Sequence, residues 1–331
     1  MAAVTPHKIP VVDLSIENMK PGTSAWYSAR KDVQRALEEC GSFVAVYDKV
    51  PLELHKTMFA KLEELFNLPH DTKIKNTSDK PYFGYYGQIS ILPLYECMGI
   101  DNPITKEGIE SFTNLMWPAG NELFSESTHL YAKLVEELYQ MVIRMVFESY
   151  GVGDFETQME STTVLLRCLK YRAPQLNETN RGLRGHTDKN FLSILHQNHV
   201  GGLEIKVKDE EWVTFESTPS SFLFLAGDGL MAWSNERIRS PYHQVMLNGK
   251  ENTTRYSLGY FALINGVIQT PEELVDDEHP LKYKPFDQFE FLRFDQSEEG
   301  RNRSGPKRRQ EVSKPKPHGY HVASRTIKPT S

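Results

Sequence analysis

Seven short β-rich runs follow one another between residues 162 and 264: "TTVLLRCLKY", "FLSILHQN", "GGLEIKV", "EWVTFE", "SFLFLAGDGLMAWS", "YHQVMLNG" and "TRYSLGYFALI". Turn residues separate them. Runs so closely spaced predict a double-sheet jelly roll rather than alternating βαβ units. The half of the chain before them reads mostly helical. "SAWYSARKDVQRALEECG" (24–41) carries apolar residues at helical spacing and a glycine stop. "LELHKTMFAKLEELFNLP" (52–69) and "SESTHLYAKLVEELYQMVIRMVFESY" (125–150) read the same way, with short strands at "IPVVDLS" (9–15) and "GSFVAVYDKVP" (41–51). The fold class is α+β: a double-stranded β-helix (jelly-roll) core braced by N-terminal helices. Residues 1–155 are expected to form the mostly helical region, 156–300 the jelly-roll core and 301–331 a basic, disordered tail.

Charge divides at the tail. From Arg301 to Ser331 nine Lys/Arg and one acid give +8, so a net charge of −6 leaves −14 on the body. An acidic body argues against nucleic-acid binding, and "PKRRQ" reads as part of a solvated end. Three widely spaced cysteines (Cys40, Cys97, Cys168) form neither a disulfide framework nor a zinc pattern. The N-terminus lacks the order of a signal peptide, and no apolar run approaches the ~20 residues a bilayer demands. A cytoplasmic monomer with no membrane partner is expected.

"GHTD" places His186 and Asp188 two positions apart, and in a strand such residues share a face. Taken alone, the pair fits a solvent-facing strand edge as well as a metal corner. A third ligand type stands in "SPYH", at His243, and the next run holds Arg255 and Ser257 at i and i+2. "NGKENTT" between them reads as a hairpin connection, which sets His243 opposite Ser257 with Arg255 beside both. His186, Asp188 and His243 then form a two-histidine, one-carboxylate facial set whose open positions suit non-haem iron(II). A 2-oxo acid chelates such a metal, and Arg255 with the Ser257 hydroxyl provides a cationic fork for its far carboxylate.

With these residues in order and spacing, the chain resembles the plant 2-oxoglutarate- and iron(II)-dependent dioxygenases. The family's H-x-D, distal His and R-x-S correspond to "HTD" (186–188), His243 and "RYS" (255–257). "IPVVDLS", "GGLEI" (201–205) and "PEELVDDEHPLKYKPF" (271–286) are similar to it as well. A narrower likeness, to the AOP-type glucosinolate side-chain dioxygenases, is carried by "MKPG" (19–22), "KPYFGYYGQ" (80–88), "PLYECMGID" (93–101) and "GLRGHTDKN" (182–190).

The resemblance implies Fe(II) and the co-substrate 2-oxoglutarate, with O2, ascorbate as reductant and a small-molecule metabolite as substrate. It also implies that Tyr171 of "RCLKYRAP" contacts 2-oxoglutarate, although Leu169 stands where the family often has Asn. "VYDKVP" (46–51) replaces an Asn-His-Gly turn, which touches the scaffold rather than the chemistry. Tyr85, Tyr86, Trp233 and Phe261 are candidates for the substrate wall. His196 and His199 are expected to be solvated beside a turn, and Arg167 and Lys170 are given no catalytic part.

The reaction expected is oxidation of a plant specialised metabolite by hydroxylation, desaturation, dealkylation or ring closure. An auxin or gibberellin oxidase would need a second basic side chain in the pocket, which the motifs do not locate. A silent jelly-roll binding protein has no need of open iron positions, and a zinc hydrolase leaves Arg255 and Ser257 unexplained.

Overall fold

Gly41 closes the first long helix, Ser24–Cys40. It takes a left-handed conformation (φ 69°) that sends its N–H back to the Leu37 carbonyl. A side chain there would also collide with the chain, because its Cβ would lie 2.1 Å from the Arg239 carbonyl oxygen. The computed structural model describes residues 8–17, 19–153, 155–207, 211–247 and 253–302. Most of the basic tail lies outside them, although its first two residues end a short helix, Glu298–Asn302.

The strands are β1 (Val11–Asp13), β2 (Ser42–Val46), β3 (Tyr86–Ile89), β4 (Leu92–Asp101), β5 (Thr162–Tyr171), β6 (Arg181–His186) and β7 (Leu192–Gln197). After them come β8 (Leu203–Lys206), β9 (Trp212–Thr214), β10 (Ser221–Ala226), β11 (His243–Met246), β12 (Arg255–Ile264), β13 (Val267–Ile268) and β14 (Phe286–Asp287). A large sheet runs β1-β2-β10-β7-β12-β5-β4-β3, a small one β6-β11-β8-β9, and β13 and β14 pair alone. This is the expected jelly roll.

The large sheet has two different faces because successive side chains alternate. Leu166, Cys168, Leu258 and Tyr260 turn outwards into a core shared with the helices Leu52–Phe66 and Glu122–Ser149. Leu169, Tyr171, Leu223 and Leu225 turn inwards and meet Leu203, Ile205 and Val245 of the small sheet. Each large apolar side chain so buried contributes about 1.5–3 kcal/mol, which clamps the two sheets together around whatever polar groups lie between them.

Several expectations are corrected. β3 and β4 form a hairpin inside the half read as helical, and they extend the large sheet beside β5. The run "SFLFLAGDGLMAWS" is a strand only to Ala226, and Asp228–Trp233 is a helix. The hairpin drawn between His243 and Arg255 does not exist: β11 pairs β6 and β8, whereas β12 pairs β5 and β7. An Asn-Gly signal favours a local turn but carries nothing about which sheet the next strand joins. Residues 248–252, which make this connection, lie outside the described residues.

His196 is buried rather than solvated, with 1% exposure. Its Nε2 lies 3.1 Å from the Pro219 carbonyl and from His55 Nδ1, and its Nδ1 lies 3.1 Å from the Tyr131 hydroxyl. A carbonyl only accepts, so Nε2 carries the proton and Nδ1 accepts from Tyr131. Burial and then the His55 ring lower its pKa from 6.5 to about 3. The unfolded chain therefore binds a proton below pH 6.5 that the folded chain refuses, and stability falls as pH drops through that window. At pH 5 the loss from this one group is about 2 kcal/mol. Urea unfolding of wild type and His196→Gln at pH 7 and pH 5 checks it, the variant being expected to lose that part of the pH dependence.

Candidate active site

β6 ends at His186, and β11 begins at His243 directly opposite it, so the strand register delivers the two imidazoles side by side. Their ring centroids are 4.3 Å apart. Asp188 follows His186 beyond the strand end, in an irregular segment anchored where the Asp188 carbonyl accepts from the Asp228 N–H at 2.8 Å. The expected shared strand face is thus half right, since Asp188 converges from a loop.

Hydrogen bonds fix how each group points. His186 Nδ1 donates to the Arg184 carbonyl (2.9 Å) and His243 Nδ1 to the Pro241 carbonyl (3.2 Å). In the neutral tautomer this bond selects, Nε2 carries the free lone pair, and each Nε2 lies 3.6 Å from Asp188 Oδ1. The other carboxylate oxygen, Oδ2, accepts from the Ser193 hydroxyl at 2.5 Å.

Burial raises the Asp188 pKa, but His243, His186 and Ser193 outweigh it and hold the carboxyl well below its usual range. Burial and the His186 ring lower His243 to about 4, so at neutral pH its ring is neutral. Three ligand-type atoms within 4.8 Å of one another can hold a metal ion. Two imidazoles and one carboxylate leave coordination positions for other ligands and suit iron(II).

A second constellation lies on the inner face of the large sheet. Arg255 opens β12 with 2% exposure, and its neighbour on β5 is Tyr171, with the guanidinium carbon 4.9 Å from the ring centroid. Its Nη1 donates to Ser257 Oγ (3.3 Å) and its Nη2 to Gln197 Oε1 (2.6 Å), while the buried Nε has no partner. No carboxylate pairs with this cation among the described residues. Neutral groups alone hold this buried guanidinium, so its charge is uncompensated within the described residues. Burial raises the Tyr171 phenol to about 12, so it is protonated and able to donate. Leu169, also on the inner face, stands between Cys97 and Ser257 and offers no polar group. Gly182 of β6 closes over Tyr171, where a Cβ would come within 2.8 Å of the ring.

The four wall candidates separate. Phe261 shares the inner face with Arg255 and Ser257 and stands opposite Ser193 on β7. Tyr86 is 42% exposed, its ring 6.3 Å from that of Tyr95. The Tyr85 hydroxyl donates to Glu96 (2.7 Å). Trp233 stacks on Phe147 at 4.6 Å and lines a cleft of about 290 Å³ that none of the ligand-type residues lines. The motifs missed Ser193 and Gln197, although strand parity places them on one face of β7, four residues apart.

Residues 162–263 match the family model described as 2OG-Fe(II) oxygenase superfamily. Residues 9–109 match that of the non-haem dioxygenase in morphine synthesis N-terminal. The chain is 44% identical over 303 residues to the probable 2-oxoglutarate-dependent dioxygenase AOP1.2 of Arabidopsis thaliana, covering 89% of this chain and 92% of the relative. Among solved structures, the Arabidopsis thaliana dioxygenase for auxin oxidation 1 with 2-oxoglutarate aligns at TM-score 0.74 and 28% identity, over 82% of this chain and 100% of that one. JOX2 in complex with 2OG, Fe and JA aligns at TM-score 0.75 and 22% identity, over 93% and 89%, a likeness of fold.

Proposed function

Because the chain belongs to the 2OG-Fe(II) oxygenase superfamily, we propose that His186, Asp188 and His243 hold its iron(II) and that Arg255, Ser257 and Tyr171 hold 2-oxoglutarate. The protein is a 2-oxoglutarate-dependent dioxygenase. One observation carries the assignment of residues: a buried guanidinium that no described carboxylate pairs stands on the inner face of the large sheet, and three ligand-type atoms of His186, Asp188 and His243 lie within 4.8 Å of one another. The orphaned Nε and the absence of a neighbouring carboxylate among the described residues fit a dicarboxylate co-substrate.

Bound iron(II) and 2-oxoglutarate supply the oxidative chemistry, in which the co-substrate is decarboxylated to succinate while a substrate C–H is oxidised. The chain's own residues prepare for it. Arg184 and Pro241 carbonyls set the histidine tautomers, and Ser193 holds Asp188 Oδ2 so that Oδ1 faces the histidines. Arg255, fixed by Gln197 and Ser257, binds the distal carboxylate, and the Tyr171 hydroxyl donates to the same end. Leu169, Leu223, Leu225 and Val245 keep water from the clamp. His186, with 37% of its side chain exposed against 5% for His243, marks the open side from which a substrate enters.

The substrate in this reading is a small plant specialised metabolite, supported by 44% identity to the AOP-type relative. The second reading, an oxidase of an acidic growth regulator, is favoured by the 28% identity to the auxin-oxidising dioxygenase. In both the protein is a cytoplasmic monomer. No described helix is long and apolar enough to cross a membrane.

The test is incubation of small-metabolite pools with enzyme, Fe(II), ascorbate and 2-oxoglutarate under air. Mass spectrometry should find a metabolite that gains one oxygen or loses two hydrogens, with succinate formed alongside. Absence of succinate in every pool, and without any pool, contradicts the assignment.

A further inference from the structure

Arg167 lies on the inner face of β5, the face that also carries Leu169 and Tyr171. Its neighbours in register are Gly99 on β4 and Gly259 on β12, so neither flanking position carries a side chain. The group is turned towards Tyr95 and Cys97: its Nη2 lies 3.1 Å from the Tyr95 hydroxyl and 2.7 Å from Cys97 Sγ. Its carbon stands 5.9 Å from the Phe261 ring centroid, and its Nε is buried with no partner. No Asp or Glu pairs with it among the described residues. The inner-face carboxylate one row away, Asp101, is taken by Lys80 at 2.6 Å. Arg167 is part-exposed, unlike Arg255.

We propose that Arg167 is the substrate-recognition cation of this dioxygenase and that the substrate carries an oxyanion, a carboxylate or a sulfate, on an apolar body. The inference rests on the dioxygenase reading and adds the substrate's charge to it. Arg255 cannot serve two anions, because its remaining donors are given to 2-oxoglutarate in that reading and it is only 2% exposed. Arg167 keeps a planar set of donors for a second anion, with Tyr95 able to donate beside it and Phe261 offering an apolar surface for the adjoining carbon skeleton. It is also the second basic side chain that the motifs did not locate. Parity alone places it with Tyr171, four residues away.

Plant extract separated on a strong anion exchanger at neutral pH provides the test. The neutral flow-through, the weak acids released by acidifying the column and the strong acids released by salt are each incubated with wild-type holoenzyme, 2-oxoglutarate and ascorbate. The consumed metabolite should lie in one of the two retained fractions, the acid step marking a carboxylate and the salt step a sulfate. Arg167→Gln should raise KM for that purified metabolite by about thirtyfold or more while KM for 2-oxoglutarate moves far less. Arg167→Lys should restore part of the loss, which shows that charge rather than packing is read. Consumption only in the flow-through, succinate formation with nothing consumed from either retained fraction, or an equal rise in both KM values overturns the proposal and leaves the dioxygenase reading intact. No succinate from wild type under any condition overturns that reading instead.

Discussion

Asp188→Ala should form no succinate from 2-oxoglutarate while keeping the circular dichroism and thermal midpoint of a folded protein. Asp188 supplies the only anionic oxygen among the three converging ligand-type atoms. On the proposed assignment its loss should remove several kcal/mol of interaction at the metal, and turnover should fall by about a thousandfold or more. The fold tolerates the change because Ser193, which donates to Asp188 Oδ2, keeps a second acceptor in Asn190 Oδ1 at 3.2 Å. The assay is run without halide, so that chloride cannot take the vacated carboxylate position. A folded variant that retains most of its turnover removes Asp188 from the site.

Arg255→Gln should lose co-substrate rather than metal. The clamp lies in a nearly dry row of Tyr171, Ser257 and Gln197, with Arg255 itself 2% exposed. Truncating the cation leaves a bound carboxylate buried and unpaired, which costs about 2–5 kcal/mol, or roughly thirtyfold to several-thousandfold in affinity. Iron affinity should hold, since Arg255 offers no ligand. Pyruvate, a 2-oxo acid with no distal carboxylate, should bind wild type and variant almost alike. Calorimetric titration of both acids into both proteins measures the contrast. Equal losses for the two acids make Arg255 a structural residue.

The candidate site was legible because the residues that converge in the fold, His186, Asp188 and His243, are of metal-ligating type and stand out in "HTD" and "SPYH". Strand positions were legible for β5, β7 and β12, whose alternation separates a helix-facing side from a cavity-facing one. β4 escaped because Pro93, Glu96, Gly99 and Asp101, residue types poor in strands, interrupt its apolar run. The false hairpin between β11 and β12 arose because turn chemistry is local, whereas the choice of sheet is decided by which inner faces must meet. Burial of His196 was invisible for a similar reason. Its partners His55, Tyr131 and Pro219 come from three separate segments that only the packed fold brings together.

Anaerobic calorimetry of 2-oxoglutarate binding, with and without Fe(II), is the decisive measurement. If the three-residue centre and the Arg255 clamp grip opposite ends of one molecule, affinity should be high with Fe(II) and fall sharply when the metal is chelated. It should fall to the same low level in Asp188→Ala whether or not metal is added. Binding of 2-oxoglutarate that is equally tight with metal, without metal and in Asp188→Ala contradicts a shared site.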